Sequence, residues 1–309
     1  MSALRGAGAV VALLVLLVLP TAALARLAAT DIAVGFLLGA VLFGPVRLRH
    51  PPRVAVLTGA CAAGVVTLAS LVGGHPWVLA ALVALATFAA GLSAHWGLHS
   101  AAVLVPVAAV VLHAPAPPGH ALGLGVAVFA GTGYGLVLLG RLPLPPPAPD
   151  EVSPLRGAVV FGLVLALLTG PATLVTSAAG VPHGYWVALT VLMVVQPSLE
   201  ASRERAVARI LGSTLGAVAA AVTASVITNN EVLVGLGLVF SVASVGAARN
   251  YALKSALLTM SIVLLVGGHD SGESTALLRL GLTVIGGVAV LAACFLLPWV
   301  AGLFDRDDA

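Results

Sequence analysis

Apolar runs of membrane-crossing length follow one another along nearly the whole chain, separated by short breaks rich in Pro, Gly, Arg and His. A helix covers the hydrocarbon of a bilayer with about 20 apolar residues. On that measure the breaks leave roughly twelve segments. The first half holds 7–25, 30–46, 53–72, 77–94, 97–114 and 120–140; the second holds 156–178, 183–197, 206–227, 232–248, 250–267 and 275–299. The pattern predicts an all-α polytopic membrane helix bundle. Its second and eighth segments are short and carry Gly or Pro at the end, so they are expected to be tilted, broken or partly re-entrant. The expected layout is a first six-span repeat at 1–143, a Pro-rich cytoplasmic linker at 144–154, a second six-span repeat at 155–300 and a short acidic tail at 301–309.

Composition agrees with this pattern. Of the 309 residues, 60% are hydrophobic and 8% charged, against about 25% charged in soluble domains. That balance excludes a soluble enzyme, a nucleic-acid reader and a disordered tail, and makes the lipid bilayer the chain's first partner. The net charge of +3 is no nucleic-acid footprint, because the arginines sit in short clusters between apolar runs. Cys61 and Cys294 lie inside apolar runs, away from any CxxC or Cys/His cluster, and are expected to be buried thiols.

Charge placement orients the segments. With the N-terminus inside and twelve crossings, the cytoplasmic side receives Arg5, Arg47, Arg49, Arg53, Arg141, Arg156, Arg203, Arg205, Arg209, Arg249, Lys254 and Arg306, and the outer side only Arg26 and Arg279. This is the positive-inside bias, and it predicts an N-in/C-in protein of the cell (inner or plasma) membrane. Arg5, the first apolar run and Ala23-Leu24-Ala25 also fit a cleavable signal peptide, whose removal leaves the remaining orientation unchanged.

The halves echo each other. A shift of 155 residues lays His95-Trp96-Gly97-Leu98-His99-Ser100-Ala101 over Asn250-Tyr251-Ala252-Leu253-Lys254-Ser255-Ala256. The same shift pairs Gly91 with Gly246, Gly131 with Gly286, and Leu142-Pro143 with Leu297-Pro298, while Gly44-Pro45 falls near Gln196-Pro197 at a smaller offset. Six crossings per unit is an even number, so the repeats are expected to be parallel, related by an axis along the membrane normal.

The most informative stretch runs from Gly184 to Gly216. Tyr185 and Trp186 open a short span as interfacial aromatics do. Gln196-Pro197 ends it, because proline cannot continue the helical ladder. Glu200, Arg203, Glu204, Arg205 and Arg209 form a charged elbow, and Gly212, Gly216 and Ala220 a small-residue ridge for close helix contact. Tyr-Trp, Gln-Pro, then Arg and Leu211-Gly212-Ser213-Thr214-Leu215-Gly216 resembles the signature of the fusaric acid resistance protein-like (FUSC) family. That family comprises integral membrane transporters and includes aromatic acid exporters; plant aluminium-activated malate channels look like distant relatives. The signature covers 184 to about 220, and the family domain would reach to about 295. The resemblance implies a six-span unit moving organic anions or small aromatic toxins. Longer family members add a soluble cytoplasmic region that this sequence does not show.

Candidate substrate-path residues follow from this reading. Arg209 could hold a carboxylate at the inner mouth or snorkel to lipid phosphate. Arg249 and Asn250 begin a span, and Lys254 lies one turn inside it, where ionisable groups face a bundle interior or wet cavity. His95 and His99, one helical turn apart, suit a proton relay, a gate or structural polar packing; with no third ligand nearby, no metal site is expected. Trp96 and Tyr251, like Tyr185 and Trp186, offer flat surfaces for stacking or interfacial anchoring. Gln196 and Pro197 mark the helix break, and Gly212 and Gly216 the packing ridge. Asp31 stands at the outer start of the second span. The expected pocket lies near the inner leaflet, where the two halves meet. No HExxH, GxSxG or GxxxxGK[ST] motif occurs, so neither an enzyme nor a cofactor is expected. The sequence thus reads as an exporter of organic anions or aromatic acids, alone or as a homodimer. A passive anion channel and a non-transporting membrane assembly factor remain as alternatives.

Overall fold

A computed structural model describes residues 16–17, 19–139, 150–227, 229–247, 250–267 and 272–304. Every regular element among them is helical. The first segment lies mostly outside these residues, with 19–27 helical. Then follow α1 (Thr30–Leu38), a π-helical turn (Gly39–Phe43), α2 (Val46–Arg49), α3 (Pro52–Val72), α4 (Pro76–Leu92), a 3-10 turn (Ser93–Trp96), α5 (His99–Ala102), α6 (Leu104–Val111), α7 (Pro118–Leu139) and α8 (Leu155–Ala178). The second part holds α9 (Tyr185–Val194), α10 (Leu199–Val226), α11 (Asn230–Gly246), α12 (Tyr251–Gly267) and α13 (Gly272–Phe304).

Among the described residues, seven stretches are long and apolar enough to cross a membrane: Thr30–Arg49, Pro52–Val72, Pro76–Trp96, Pro118–Leu138, Leu155–Ala178, Leu199–Val226 and Leu277–Leu296. Shorter apolar helices, His99–Val111, Tyr185–Val194, Glu231–Ser241 and Tyr251–Leu264, stand at the fifth, eighth, tenth and eleventh segments read from the sequence. The second segment is irregular but continuous: its ladder widens into the π-turn and passes through Gly44-Pro45, both right-handed helical, into α2.

Two compact units are present, Met1–Val181 and Pro182–Ala309. In the first, Phe43, Val66, Val105, Leu112, Leu124 and Val128 form an apolar core among the π-turn, α3, α6 and α7. There α8 lies along α4: Gly91 and Gly162 bring the two backbones together, and the Thr87 and Thr169 hydroxyls hydrogen-bond at 3.0 Å.

In the second unit, α10 is turned inside out relative to a soluble helix. Its buried face is Ser202, Ala206, Arg209, Gly212, Ser213, Gly216, Ala217 and Ala220. Its exposed face is Val207, Leu211, Leu215, Val218, Val222 and Val226. Hydrocarbon accepts leucine and valine, so large apolar groups can face outward while small residues let backbones approach. Accordingly Gly212 and Gly216 abut the Ala252 and Ala256 carbonyls of α12, where a Cβ would collide with backbone. The expectation of buried thiols needs correction. Cys61 is exposed on α3 and Cys294 half-buried on α13, because in lipid an apolar run keeps its small residues, not every residue, inside.

Gly216→Leu is expected to prevent α10–α12 packing and abolish the monodisperse size-exclusion peak of the detergent-solubilised protein. Leu215→Ala, one residue away on the outer face, should leave that peak unchanged and shift stability by less than about 0.5 kcal/mol.

Candidate functional site

The site grows from a helix too short to cross. At 1.5 Å per residue, the ten residues of α9 span about 15 Å, half of a hydrocarbon core of about 30 Å. Its lower end breaks at Val195, which is extended, and Pro197 prevents continuation. The freed groups are taken up locally. The Ser202 hydroxyl accepts from the Gln196 backbone N–H at 2.8 Å and lies 3.1 Å and 2.8 Å from the Gln196 and Ser198 carbonyls. Ser198 caps α10 by accepting from Ala201 N–H at 3.2 Å. The Gln196 side-chain amide donates to the Val195 carbonyl, and the Tyr251 hydroxyl donates to that of Met193 at 3.3 Å. Gln196 and Tyr251 therefore hold the break together. Arg203 and Arg205 are exposed and lie over the Phe295 and Tyr251 rings. One helical turn beyond Arg205, Arg209 is buried, with 4% exposure.

At the upper end, His183 adopts a left-handed conformation (φ 55°), and its carbonyl accepts from the Trp186 N–H at 3.0 Å. Tyr185 and Trp186 have ring centroids 5.3 Å apart. Over Trp186, 4.0 Å from its centroid, lies the guanidinium of Arg279 from α13. Arg279 is 3% exposed. Arg279, Thr283, Gly286 and Val290 recur at helical spacing and share one buried face of α13. Gly286 on that face meets Val187 and Thr190 of α9, while its neighbour Gly287 meets Ile210 of α10, the residue after Arg209. Arg209 and Tyr185 are within electrostatic range of Arg279. Arg279 Nη1 and Nη2 and Arg209 Nε have no hydrogen-bond acceptor.

A polar seam runs on from Arg209 between α10 and α12. The Ser255 hydroxyl of α12 is 3.4 Å from the Arg209 carbonyl, and Ser213 is 3.2 Å from both Ser255 and Thr259. Lys254, half-buried beside this seam, is engaged. Asn250 is a helix cap, its side chain accepting from Leu253 N–H at 3.1 Å. Arg249 lies outside the described residues. Among the described side chains of this unit, the acids Glu200, Glu204 and Glu231 are all exposed, so its buried charge is basic.

His95 and His99 do not share a helical turn as their spacing suggested. Gly97 takes a left-handed conformation (φ 62°) and ends the helix between them, leaving His95 on the 3-10 turn and His99 at the start of α5. They belong to a different cluster, within the first unit. Asp150, at the end of the proline strap, has a 4% exposed side chain. Its carboxylate accepts from Ser100 N–H at 2.9 Å and lies 3.5 Å from His99, 3.7 Å from His50 and 3.7 Å from Arg49. His95 Nδ1 is 3.1 Å from the Ser153 carbonyl, and Trp96 is exposed. Asp31 pairs with His120.

Sequence reasoning missed Arg279 and Asp150. Arg279 read as an outer flanking charge. Its spacing of seven residues from Gly286 was the available signal that it shares the packed face. Asp150 read as plain linker, since its partners lie fifty and a hundred positions upstream.

Apolar helices of crossing length, with leucines turned outward and small and polar residues inward, define a multi-pass membrane protein. Residues 171–293 match the family model described as fusaric acid resistance protein-like, so this part of the chain is similar to that family. The match contains α9, α10, α12 and Arg279. No curated protein and no solved structure matches the chain.

Ser202→Ala removes the hydroxyl that closes the elbow and is expected to cost about 1–3 kcal/mol, read as a lowered unfolding midpoint. His183→Gly relieves a left-handed non-glycine residue and should be neutral or stabilising by about 1 kcal/mol.

Proposed function

We propose that the protein is a transporter of organic anions, of the fusaric acid resistance type. The observation that carries this reading is the interior of the family-matching unit: polar, basic, and without a buried carboxylate among its described side chains. Basic groups facing the inside of a membrane bundle mark an ion or substrate path. The half-length α9 supports it further, since discontinuous helices turn backbone dipoles toward a translocated ion. Arg209, Lys254, Tyr185, Trp186 and Tyr251 are the residues assigned to that path. Aromatic or aliphatic carboxylates are the substrate class, and export is the direction taken from the family. The chain belongs to the inner or plasma membrane on this reading, as a monomer or a homodimer.

The topology proposed with it is twelve crossings, N-in and C-in, as two parallel six-span repeats. Supporting the repeat, Gly131 and Gly286 occupy equivalent contacts. Gly131 places α7 against Phe36 and Ala40 of the irregular second segment, and Gly286 places α13 against Val187 and Thr190 of the short eighth one. A passive anion channel is the second reading. It is favoured because Glu200, Glu204 and Glu231 are exposed, so no embedded carboxylate able to carry a proton stands among the described side chains of the second unit.

Reconstituted protein should release benzoate from proteoliposomes faster than empty vesicles do. A pH gradient should alter the rate for a coupled carrier and leave a channel unaffected. Lys254→Ala should slow release at least tenfold and Arg306→Ala should not; no release of any carboxylate, or equal loss in both variants, would contradict the proposal. A cysteine placed at Pro147 should react with an impermeant thiol reagent only after the cells are opened, and labelling from outside would reverse the topology.

A further inference from the structure

The pairing of Arg279 with Trp186 calls for a separate explanation. Two guanidiniums, each at least 96% buried, stand in one unit within electrostatic range of each other. No acid with a described side chain is buried among them. Removing an ion from water costs on the order of several kcal/mol, and like charges add to that cost. Such an arrangement persists when it is compensated by an anion that belongs there. The geometry specifies what kind. The Arg279 guanidinium carbon lies over the Trp186 ring, 4.0 Å from its centroid, and all the donors of this planar group lie in its own plane. These in-plane donors, Nη1 and Nη2, are the ones without acceptors. A planar fork of two N–H groups matches the two oxygens of a carboxylate and fits a spherical halide poorly. Arg209 contributes Nε, also without an acceptor, as a second donor. The start of α9, at Tyr185 and Trp186, adds the positive end of a helix dipole.

The internal repeat sharpens the point. The position equivalent to Arg279 at the 155-residue shift is Leu124, a 2% exposed member of the apolar core of the first unit. The packing of the last helix in each half therefore does not itself demand arginine.

We propose that Arg279 and Arg209, with Trp186 as an aromatic floor, form an oxyanion-binding site that takes a carboxylate in the fork of Arg279. The site deepens the transport reading and rests on it for the fate of the anion, though not for its binding. A free carboxylate and the phosphate of an anionic lipid share the chemistry the fork recognises; the assignment is to the carboxylate.

The test uses the full chain in nanodiscs of zwitterionic lipid, with benzoate as probe and calorimetric binding and thermal unfolding as readouts. Benzoate should bind the native protein and raise its unfolding temperature. Arg279→Gln should weaken binding at least tenfold, yet leave the benzoate-free protein as stable as before or more so, because a buried unpaired charge has been removed. Arg279→Lys keeps the charge without the fork and should also weaken binding, serving as the readout if the glutamine variant does not fold. Arg156→Gln, on the exposed start of α8, should bind as the native protein does. Unchanged affinity in both Arg279 variants would overturn the site. So would chloride competing as well as benzoate, or phosphatidylglycerol displacing benzoate in an Arg279-dependent manner, which would identify a lipid headgroup as the occupant. Binding that depends on Arg279 but occurs without proteoliposome flux would refute transport and leave the site standing. Flux in a variant whose binding is unchanged from native would do the reverse.

Discussion

Hydrocarbon offers no hydrogen bonds, so any polar group held inside this protein must find its partner within the protein or in something the protein binds. That constraint explains the distribution of residue sizes better than any single contact does. Leu211, Leu215, Val218 and Val222 face outward from α10, while Ser202, Ala206, Gly212, Gly216 and Ala220 face inward. With no hydrophobic force between helices in lipid, close approach and shared hydrogen bonds hold them together. Gly212 and Gly216 against α12, and Gly91 against Gly162, are where that approach is tightest.

The same constraint gives the break after α9 its meaning. Ending a helix after ten residues frees backbone groups that need partners. Ser202, Gln196 and Tyr251 supply them. Once those groups are satisfied, the elbow fixes the height at which α9 begins, and so places Trp186 beside α13, where Arg279 reaches it. The polar seam from Arg209 through Ser213, Ser255 and Thr259 is largely closed by its own hydrogen bonds. The guanidinium ends of Arg209 and Arg279 are not. The Thr190 and Ser261 hydroxyls of this unit are unmatched as well, but the guanidinium ends are the unmatched groups that carry charge.

Much of this was legible in the sequence because lipid imposes a simple code. Apolar length locates the segments, Gly and Pro locate the irregular turn at Gly44-Pro45 and the break at Gln196-Pro197, and the Gly212–Gly216 spacing predicts the close face that α12 occupies. The code fails where direction matters. In a helix apolar on every side, periodicity does not say which way a residue faces, and Arg279 therefore read as a flanking charge. It fails also where partners are distant in sequence. Asp150 finds His50, His99 and Arg49 only through the fold, and the shared turn expected of His95 and His99 is interrupted by Gly97, a glycine in the sequence that takes a left-handed conformation in the fold.

The claim beneath all of this is that α10 shows its large apolar face to lipid and its small polar face to protein. Nitroxide labels placed one at a time from position 203 to 225 in membranes, read for collision with oxygen and with a water-soluble nickel chelate, test it directly. The account predicts that oxygen collisions peak at 207, 211, 215, 218 and 222 with helical periodicity while nickel collisions stay low there. Strong nickel collisions at 211, 215 and 218 would place that face in water and contradict it.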